Sequence, residues 1–393
     1  MNLKIRTRIA SSVVLAMLYC SSANADLTFN GFASFVAGKH SEDDAPYLGY
    51  DNEISFSPDT MIALQVGSQL NNDFSVTTQF VAKGNNDYDL EVELAYLTYE
   101  IKGNWDARIG RIRAPFFYYS DFLDVGVAYP WISPPEEVYR IPFSSFDGVD
   151  TLYRGVHGDW SSTWQVFYGS LSENLELAGQ SLTVEANDLM GLNVTIGNDW
   201  VTFRGGYVQA DVTQEIPDAM ALYFATLAGA GFGTLAAHVD PRTSNTANYA
   251  AIAAIVDYND WLMNVEYTSI SWDRPSFVYN DSAWFVMLGR RFGDVTAHIT
   301  YANREDDPEF EANTIPTGVV PQLDQLSGIL NSFYRNDKVS TVTVGVRYDI
   351  DASIAMKLDI TNMDNEVAKP LYVGQPDPQE DGVLVRFGVD VVF

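Results

Sequence analysis

Apolar and polar residues alternate along most of the chain, in runs of about ten residues that begin near residue 27. Clusters of Gly, Asn, Asp and Pro separate these runs. A period of two is typical of strands that face apolar surroundings on one side, so each run predicts a β-strand. Sixteen strands are predicted in this way. They lie at 27–38, 60–70, 73–83, 91–101, 105–113, 148–157, 161–170, 187–197, 200–209, 247–258, 261–272, 280–292, 294–304, 338–350, 353–363 and 382–393.

The gaps between the predicted strands alternate in length. The odd-numbered gaps contain 7 to 37 residues, whereas the even-numbered gaps contain 1 to 3. An up-and-down barrel in the outer membrane predicts this parity, because its hairpins have tight periplasmic turns and longer external loops. A soluble sandwich has no reason to sort its loops in this way. The pattern therefore favours an all-β, antiparallel transmembrane barrel of about sixteen strands.

The two faces of the last three predicted strands differ in polarity. One face is almost entirely apolar, and the other includes Arg347, Lys357 and Arg386. Burial of these cations in a dry core would be costly, whereas a wet lumen would hydrate them. We therefore expect the apolar face to contact lipid and the polar face to line a water-filled interior.

Aromatic residues indicate the height of the membrane boundary. Four short turns lead directly into a tryptophan, and the chain ends on Phe393. Amphipathic rings favour the boundary between lipid and water, so these residues predict a periplasmic girdle. The alternative is that each tryptophan simply packs over its turn. The four are Trp105, Trp160, Trp200 and Trp261.

The first 25 residues are typical of a secretory signal peptide. A basic start is followed by the apolar run 9–18 and by an Ala-Asn-Ala cleavage site at 23–25. A membrane anchor is the weaker alternative, because the apolar run is far shorter than the roughly 20 residues of a spanning helix. Residues 1–25 are therefore predicted to be cleaved, which leaves a single barrel domain at 26–393.

Composition removes several classes of function. Cys20 is the only cysteine, so the mature chain has neither disulfides nor thiolate metal sites. Three of the 23 basic residues and none of the 52 acidic ones lie in the signal peptide, so 20 oppose 52 afterwards, a balance of −32. That sign excludes nucleic acid as a partner. Roughly sixteen strands enclose an aqueous channel, so the strand count itself points to transport.

The third loop, at 114–147, carries an unusual concentration of aromatic residues, beginning with 116–119. Such residues are poorly suited to a freely moving external loop. Folding back into the barrel would pack them against the wall and narrow the pore. An aromatic slide for sugars is the alternative for 116–119, but adjacent side chains alternate in direction, which favours anchoring.

At this point the chain resembles the general diffusion porins of Gram-negative bacteria. The resemblance rests on the sixteen-strand plan, on Gly110 and Arg111 before a long third loop, and on the terminal Phe393. The stretch 108–153 is most similar to porins of marine and related gammaproteobacteria. In that family the third loop forms the constriction, the barrel is a homotrimer, and the C-terminal aromatic residue presents the chain to the barrel-assembly machinery. The Pro-Glu-Phe-Gly-Gly-Asp constriction motif of enteric porins is absent.

The resemblance implies that acids of the third loop oppose arginines of the wall across the constriction. Rings of charge set the selectivity of a narrow pore, because a permeating ion cannot avoid them. Arg108 and Arg111 have opposite parity, so both can face inward only if Gly110 forms a bulge. The candidates are Asp121, Asp124, Glu136 and Glu137 in the loop, with Arg108, Arg111, Arg113, Arg154, Arg204, Arg291, Arg347 and Arg386 in the wall.

Three weaker signals lie in the longer gaps. Residues 217–227 predict a short helix, which either roofs the pore or packs on the barrel mouth. The acidic runs 42–44 and 305–307 either bind divalent cations that bridge lipopolysaccharide or are simply solvated. The four histidines are scattered, so an enzymatic site with a nucleophile beside its base is not indicated.

Together these patterns predict an outer-membrane porin through which small hydrophilic solutes and ions diffuse passively. We expect no cofactor, no metal and no enzymatic activity, and the expected surroundings are lipid and lipopolysaccharide. The net charge predicts a mild cation preference. A substrate-selective channel is the main alternative, and an outer-membrane enzyme or adhesin is a more distant one.

Overall fold

The computed structural model describes residues 26–42, 47–177, 180–274, 280–307, 313–333, 338–366 and 381–393. Within these ranges the chain forms a closed antiparallel barrel of sixteen strands, each paired with its neighbours in sequence. The predicted signal peptide lies outside the described residues. The strands are β1 Asp26–His40, β2 Met61–Gln69, β3 Phe74–Lys83, β4 Leu90–Lys102, β5 Trp105–Arg113, β6 Ser145–His157, β7 Trp160–Leu177, β8 Gln180–Gly197, β9 Val201–Gln214, β10 Asn245–Tyr258, β11 Trp261–Trp272, β12 Asn280–Phe292, β13 Val295–Asp307, β14 Lys338–Asp349, β15 Ile354–Glu366 and β16 Asp381–Val392.

The first and last strands close the barrel. β1 pairs with β16 over nine residues, from Phe32 opposite Val392 to His40 opposite Leu384. Phe393 extends the seam, because its backbone N donates to the Gly31 carbonyl at 2.8 Å and its carbonyl accepts from Gly31 N at 2.6 Å. A Cβ at Gly31 would lie 2.3 Å from the Phe393 ring, so a larger residue there would displace that ring. Closure satisfies every strand edge, as the bilayer requires.

The lipid-facing surface has the predicted polarity. On β14 to β16, Val344, Ile360 and Phe387 are exposed on the outside, whereas Lys357 and Arg386 are enclosed on the inside. The four turn tryptophans are each 38% to 53% exposed, as a girdle at the membrane boundary requires.

The seventh gap differs from its prediction of sixteen residues. β7 and β8 continue to Leu177 and from Gln180, so they form one long hairpin. In the outer part of this hairpin the inward and outward positions are exchanged relative to the rest of the strand. Val184 and Ala186 are buried on the inside there, while Glu185 is exposed. Strands that rise out of the membrane face water on the outside, so their outer face becomes polar.

Two helical segments join the strands at the loop end. Between β9 and β10 lie α1, Asp218–Leu227, a π-helical turn at 228–232, and α2, Gly233–Val239, and between β13 and β14 lies α3, Pro321–Phe333. By length and hydropathy alone, Asp218–Val239 could cross a membrane. It packs instead against α3, where the Tyr223 hydroxyl donates to the Leu326 carbonyl at 2.9 Å. The predicted helix at 217–227 is thus confirmed.

Candidate pore constriction

The third loop folds into the barrel and crosses its interior. It leaves β5 at Arg113, makes short 3-10 turns at 120–122 and 126–128, and returns to β6 at Ser145. Its aromatic side chains belong to one buried cluster with the inner faces of β5 to β13. The loop therefore narrows the lumen, as its aromatic content predicts.

The first part of the loop packs on β9 to β11. The Phe116 and Phe117 rings meet the Tyr249 ring edge-on, with centroids 5.4 and 6.0 Å apart. The Tyr249 hydroxyl donates to the Phe116 carbonyl at 3.0 Å. Glu266 accepts from the Tyr118 backbone N at 2.8 Å and from the Tyr139 hydroxyl. This side of the wall thus holds the loop mainly by aromatic packing around one buried carboxylate.

The tip of the loop is held from the opposite wall by Lys357 on β15. Its Nζ donates to the Gly126 carbonyl at 2.6 Å and to the Trp131 carbonyl at 2.5 Å. The same atom forms an ion pair with Asp390 on β16 at 2.7 Å. Lys357 is 1% exposed, so a single enclosed cation joins the loop to two strands.

Two further cations fasten the loop to this wall. Arg347 Nη1 donates to the carbonyls of Val127 at 2.7 Å and Tyr129 at 2.9 Å. Arg386 Nη1 donates to Ser133 Oγ at 2.7 Å and pairs with Asp59 at 3.0 Å. Both arginines were predicted at the constriction and both contact the third loop. Lys357, however, was not among the candidates.

Asp124 lies where the loop meets β3 and β5. Its carboxylate pairs with Lys83 Nζ at 3.0 Å and with Arg113 Nη2 at 2.9 Å, and Arg113 also pairs with Glu93 at 2.7 Å. Burial alone would raise the pKa of Asp124, but the two cations outweigh it and lower the pKa to about 2. Asp124 therefore stays ionised at every physiological pH.

Glu136 and Glu137 lie on the returning part of the loop. Glu137 is 4% exposed, and burial raises its pKa. Glu136 is surrounded by protein but still reached by solvent from the cavity that it lines. Burial, followed by the repulsion of Glu137 and Asp59, raises the pKa of Glu136 to about 7. Glu136 is therefore a loop carboxylate whose charge changes near neutral pH.

Arg108 and Arg204 face the lumen beneath the loop. Arg108 forms a two-pronged pair with Asp150, whose side chain is fully enclosed, and its guanidinium lies 5.3 Å from the Tyr96 ring centroid. Arg204 Nη1 lies 3.6 Å from Asp121, which is the more exposed partner at 51%. Asp121 is thus a loop acid that water reaches directly.

Arg111 was a predicted wall residue of the constriction, but its side chain lies on the outer face of the barrel. It pairs with Asp147 at 3.1 Å in a shallow groove that the lipid-facing Ile109 and Val149 also line. Gly110 has a positive φ of 131°, yet the β4–β5 register runs through it without a shift. Alternation is therefore preserved from Arg108 to Arg111, and of these two arginines only Arg108 points inward.

Arg154 and Arg291 face the interior but lie at the periplasmic mouth, away from the third loop. Arg154 pairs with Asp106 at 2.6 Å, and Arg291 pairs with Asp257 at 2.6 Å. Their side chains are 52% and 40% exposed. They line the entrance to the pore and are not part of the constriction.

We expected hydrated wall cations to face the loop acids across an open gap. The structure contradicts this expectation for several of these residues, which are in direct contact or enclosed. Asp124 touches its cationic partners directly, while Lys357 and Arg386 are almost fully enclosed by the loop. The physical reason is that the described residues 47–60, between β1 and β2, also contribute side chains to the interior of the barrel. Asp59 reaches Arg386, and the Tyr50 ring packs against Gly38. The charges of Asp124, Lys357 and Arg386 are consequently neutralised by direct ion pairs.

Among the cavities that the described residues form beside the loop, three have volumes above 200 Å³. The outer chamber, of 450 Å³, lies between the loop and the outer parts of β7 to β13. A polar cavity of 340 Å³ lies between the loop and β1 to β3. An inner cavity of 210 Å³ lies beneath the loop, next to Asp121 and Arg204. The loop thus separates the outer spaces from the inner one.

No group of histidine, cysteine and acidic side chains suited to a metal occurs in the described parts of the chain. The acidic run 305–307 belongs to the end of β13, so it is not a loop as the sequence suggested. Of the run 42–44, only Glu42 lies within the described residues.

A closed barrel of sixteen antiparallel strands with its third loop inside has the porin fold, that of a multi-pass β-barrel of the Gram-negative outer membrane. No protein-family model matches the sequence, and no curated protein is similar to it at a significant level.

Solved structures provide the likeness instead, at low sequence identity. OmpT, an outer-membrane protein of Vibrio cholerae, is 12% identical, with a TM-score of 0.56 over 95% of this chain and 99% of that chain. The anion-selective porin from Comamonas acidovorans is 10% identical, with a TM-score of 0.57 over 94% and 100%. The outer membrane channel DcaP of Acinetobacter baumannii is 12% identical, with a TM-score of 0.58 over 95% and 98%.

Proposed function

We propose that this protein is a porin through which small hydrophilic solutes and ions diffuse passively across the outer membrane. The observation that carries the proposal is a closed sixteen-strand barrel whose interior is lined by charged side chains and crossed by its third loop. A barrel of this size is too wide for its own side chains to fill, so water occupies the remaining space. Transport by diffusion requires neither a cofactor nor a catalytic group, and we propose that the protein has no enzymatic activity.

The charge of the pathway supports a mild cation preference. Asp121 is the exposed partner of its pair, and Glu136 is an acid that solvent reaches near the loop. The wall cations opposite them are mostly enclosed and already paired. Accessible negative charge therefore outweighs accessible positive charge beside the loop, which favours cations in a narrow pore.

A substrate-selective channel is the second candidate, and the hold on the third loop favours it. The loop is fastened by Lys357 and Arg347 on one wall and by Tyr249 and Glu266 on the other. A loop held on both sides leaves a narrow, shaped passage. Such a passage would discriminate between solutes more strongly than a wide pore does.

The expected partners follow from the same proposal. One solved structure with this fold is a trimer form of the Vibrio cholerae OmpT, and we propose a homotrimer surrounded by lipid and lipopolysaccharide. The exposed terminal Phe393 fits a role in presenting the chain to the barrel-assembly machinery. Chemical cross-linking of the folded protein tests the trimer, since bands no larger than a monomer would contradict it.

Planar bilayer recording tests the function. The mature chain, residues 26–393, should insert and give stepwise, steady conductance, with a reversal potential in a potassium chloride gradient that favours potassium. A general porin should conduct equally in the presence of any one small solute. A fall in conductance at low concentration of a single solute would favour the selective channel, and the absence of conductance would overturn both proposals.

A further inference from the structure

The outer chamber is apolar, which is unusual for the interior of a water-filled barrel. Its wall consists of the inward side chains of β7 to β11, and the loop residues 141–143 form its floor with Phe116. Few polar groups interrupt this surface. The principal wall residues are Leu171, Val184, Leu189, Val208, Ala247 and Ile270.

Water is held weakly in such a space, because most of the lining offers no hydrogen bond. A cavity of 450 Å³ lies within the range of pockets that enclose small organic ligands. Apolar walls with a few polar groups at one side are the usual design of those pockets. A ligand with a hydrocarbon body would therefore replace unfavourable water.

The charged groups of the chamber form two ion pairs on its β12–β13 side, and the lining also includes the uncharged polar residues Gln214 and Asn245. Arg140 of the third loop pairs with Asp281, and Arg304 Nε lies 3.5 Å from Asp306 Oδ1. The two arginine side chains are 28% and 23% exposed, whereas the two carboxylates are only 6% and 11% exposed. All four residues line the chamber, and the arginines are the more exposed members of both pairs.

Arg304 is only weakly held by its own partner. The distance of 3.5 Å is too long for a strong hydrogen bond, and Nε has no hydrogen-bond acceptor among the described residues. Burial and the neighbouring Arg304 lower the pKa of Arg140 to about 10. Two guanidinium groups close enough to repel each other would both be stabilised by an added anion. A carboxylate suits them best, since the planar fork of arginine matches it.

We propose that the outer chamber binds a monocarboxylate with a medium-chain aliphatic or arylalkyl body, with its carboxylate at Arg304 and Arg140 and its hydrocarbon against β7 to β11. This proposal names a ligand class for the proposed channel. Any role of the ligand in permeation rests on the proposed transport function. Binding itself does not require conduction, so the two proposals fail separately.

Isothermal titration of the full mature protein in lipid nanodiscs tests the site, with butyrate, hexanoate and octanoate as probes. Each added methylene should strengthen binding about threefold to fourfold, as burial of a CH₂ group predicts. Ala247→Phe fills the chamber and should weaken octanoate binding at least tenfold. Ala250→Phe places the same ring on the lipid side of β10 and should bind as the parent does, which also corrects for partitioning into lipid.

The charged end is tested with Arg304→Met, which should weaken octanoate about tenfold and leave 1-octanol unchanged. Arg291→Met removes an inward arginine at the periplasmic mouth and should bind octanoate normally. Equal affinity for butyrate and octanoate, or equal binding by the Ala247→Phe and Ala250→Phe proteins, would overturn the chamber as the site. Octylamine binding as tightly as octanoate would overturn the carboxylate. Octanoate binding without bilayer conductance would refute the porin and leave the site standing.

Discussion

On the β14–β16 side of the barrel the inner wall presents Lys357, Arg386 and Asp390, whereas on the β7–β11 side it presents mainly Leu, Val, Ala and aromatic residues. Both walls hold the same loop. The first does so with cations that donate to loop carbonyls, and the second does so with ring packing. Charged contacts fix the loop tip at definite atoms, while apolar contacts leave room for the outer chamber beside the loop root.

The largest expected effect comes from breaking the charged hold. Lys357→Met removes the ammonium group that pairs with Asp390 Oδ2 and donates to two loop carbonyls in an enclosed site. Loss of one partner of a buried pair should lower the free energy of unfolding by about 3–5 kcal/mol, measured by urea titration in lipid vesicles. The released tip should also raise single-channel conductance.

The matched control for that variant is Arg291→Gln, because its pair with Asp257 is exposed to water. Its loss should change the free energy of unfolding by less than about 1 kcal/mol. Equal effects of the two substitutions would show that the buried cation does not anchor the loop.

A smaller effect is expected on the apolar side. Tyr249→Phe keeps the ring against Phe116 and Phe117 but removes the hydrogen bond to the Phe116 carbonyl. The free energy of unfolding should fall by about 1–2 kcal/mol, because one buried acceptor loses its donor. Tyr267→Phe, on the lipid-facing side of β11, should change it by less than about 0.5 kcal/mol. If Tyr249→Phe lowered the free energy of unfolding more than Lys357→Met does, the apolar wall would hold the loop more strongly than the charged wall, contrary to expectation.

Ion selectivity should distinguish the two arginines of β5. Arg108→Gln uncovers the carboxylate of Asp150 in the lumen and should raise the ratio of potassium to chloride permeability on the order of twofold. Arg111→Gln alters only the outer face and should leave the ratio unchanged. Reversal potentials in a potassium chloride gradient measure both. A shift with Arg111→Gln alone would contradict the placement of these side chains.

The smallest expected effect is a dependence on pH near neutrality. Because the pKa of Glu136 is raised to about 7, this carboxyl is neutral at pH 6 and ionised at pH 8. Cation preference should rise by less than about twofold as pH increases through 7, and Glu136→Gln should remove that step. The pKa of Asp124 is about 2, so this carboxylate should contribute no change in this range. An unaltered step in the Glu136→Gln protein would assign the titration to another group.

Alternation predicted the barrel well, because lipid on one side imposes a period of two on every membrane-crossing strand. It failed in the outer part of β7 and β8, where lipid is replaced by water and the polar face moves outward. There the period of two persists, but the apolar side chains face inward and the polar ones outward. This segment was therefore predicted to be a loop.

The constriction was only partly predictable. Aromatic content identified the inward loop, and residue type identified Asp124, Arg113, Arg347 and Arg386. The polar face of its strand placed Lys357 toward the interior, but its contact with the third loop was not predicted, because that contact depends on which wall the loop tip reaches. That choice is made by contacts more than 200 residues apart along the chain, such as the one between Lys357 and Gly126.

Single-channel current after modification at Asp121 tests the central claim most directly. Residues 26–393 contain no cysteine, so Asp121→Cys in this segment gives one thiol, on the part of the third loop that lines the inner cavity. Ile252→Cys gives one on the lipid face. A bulky, membrane-impermeant thiol reagent should reduce the current in discrete steps for Asp121→Cys and leave Ile252→Cys unaffected. Undiminished current in the modified Asp121→Cys protein would show that ions do not pass beside the third loop.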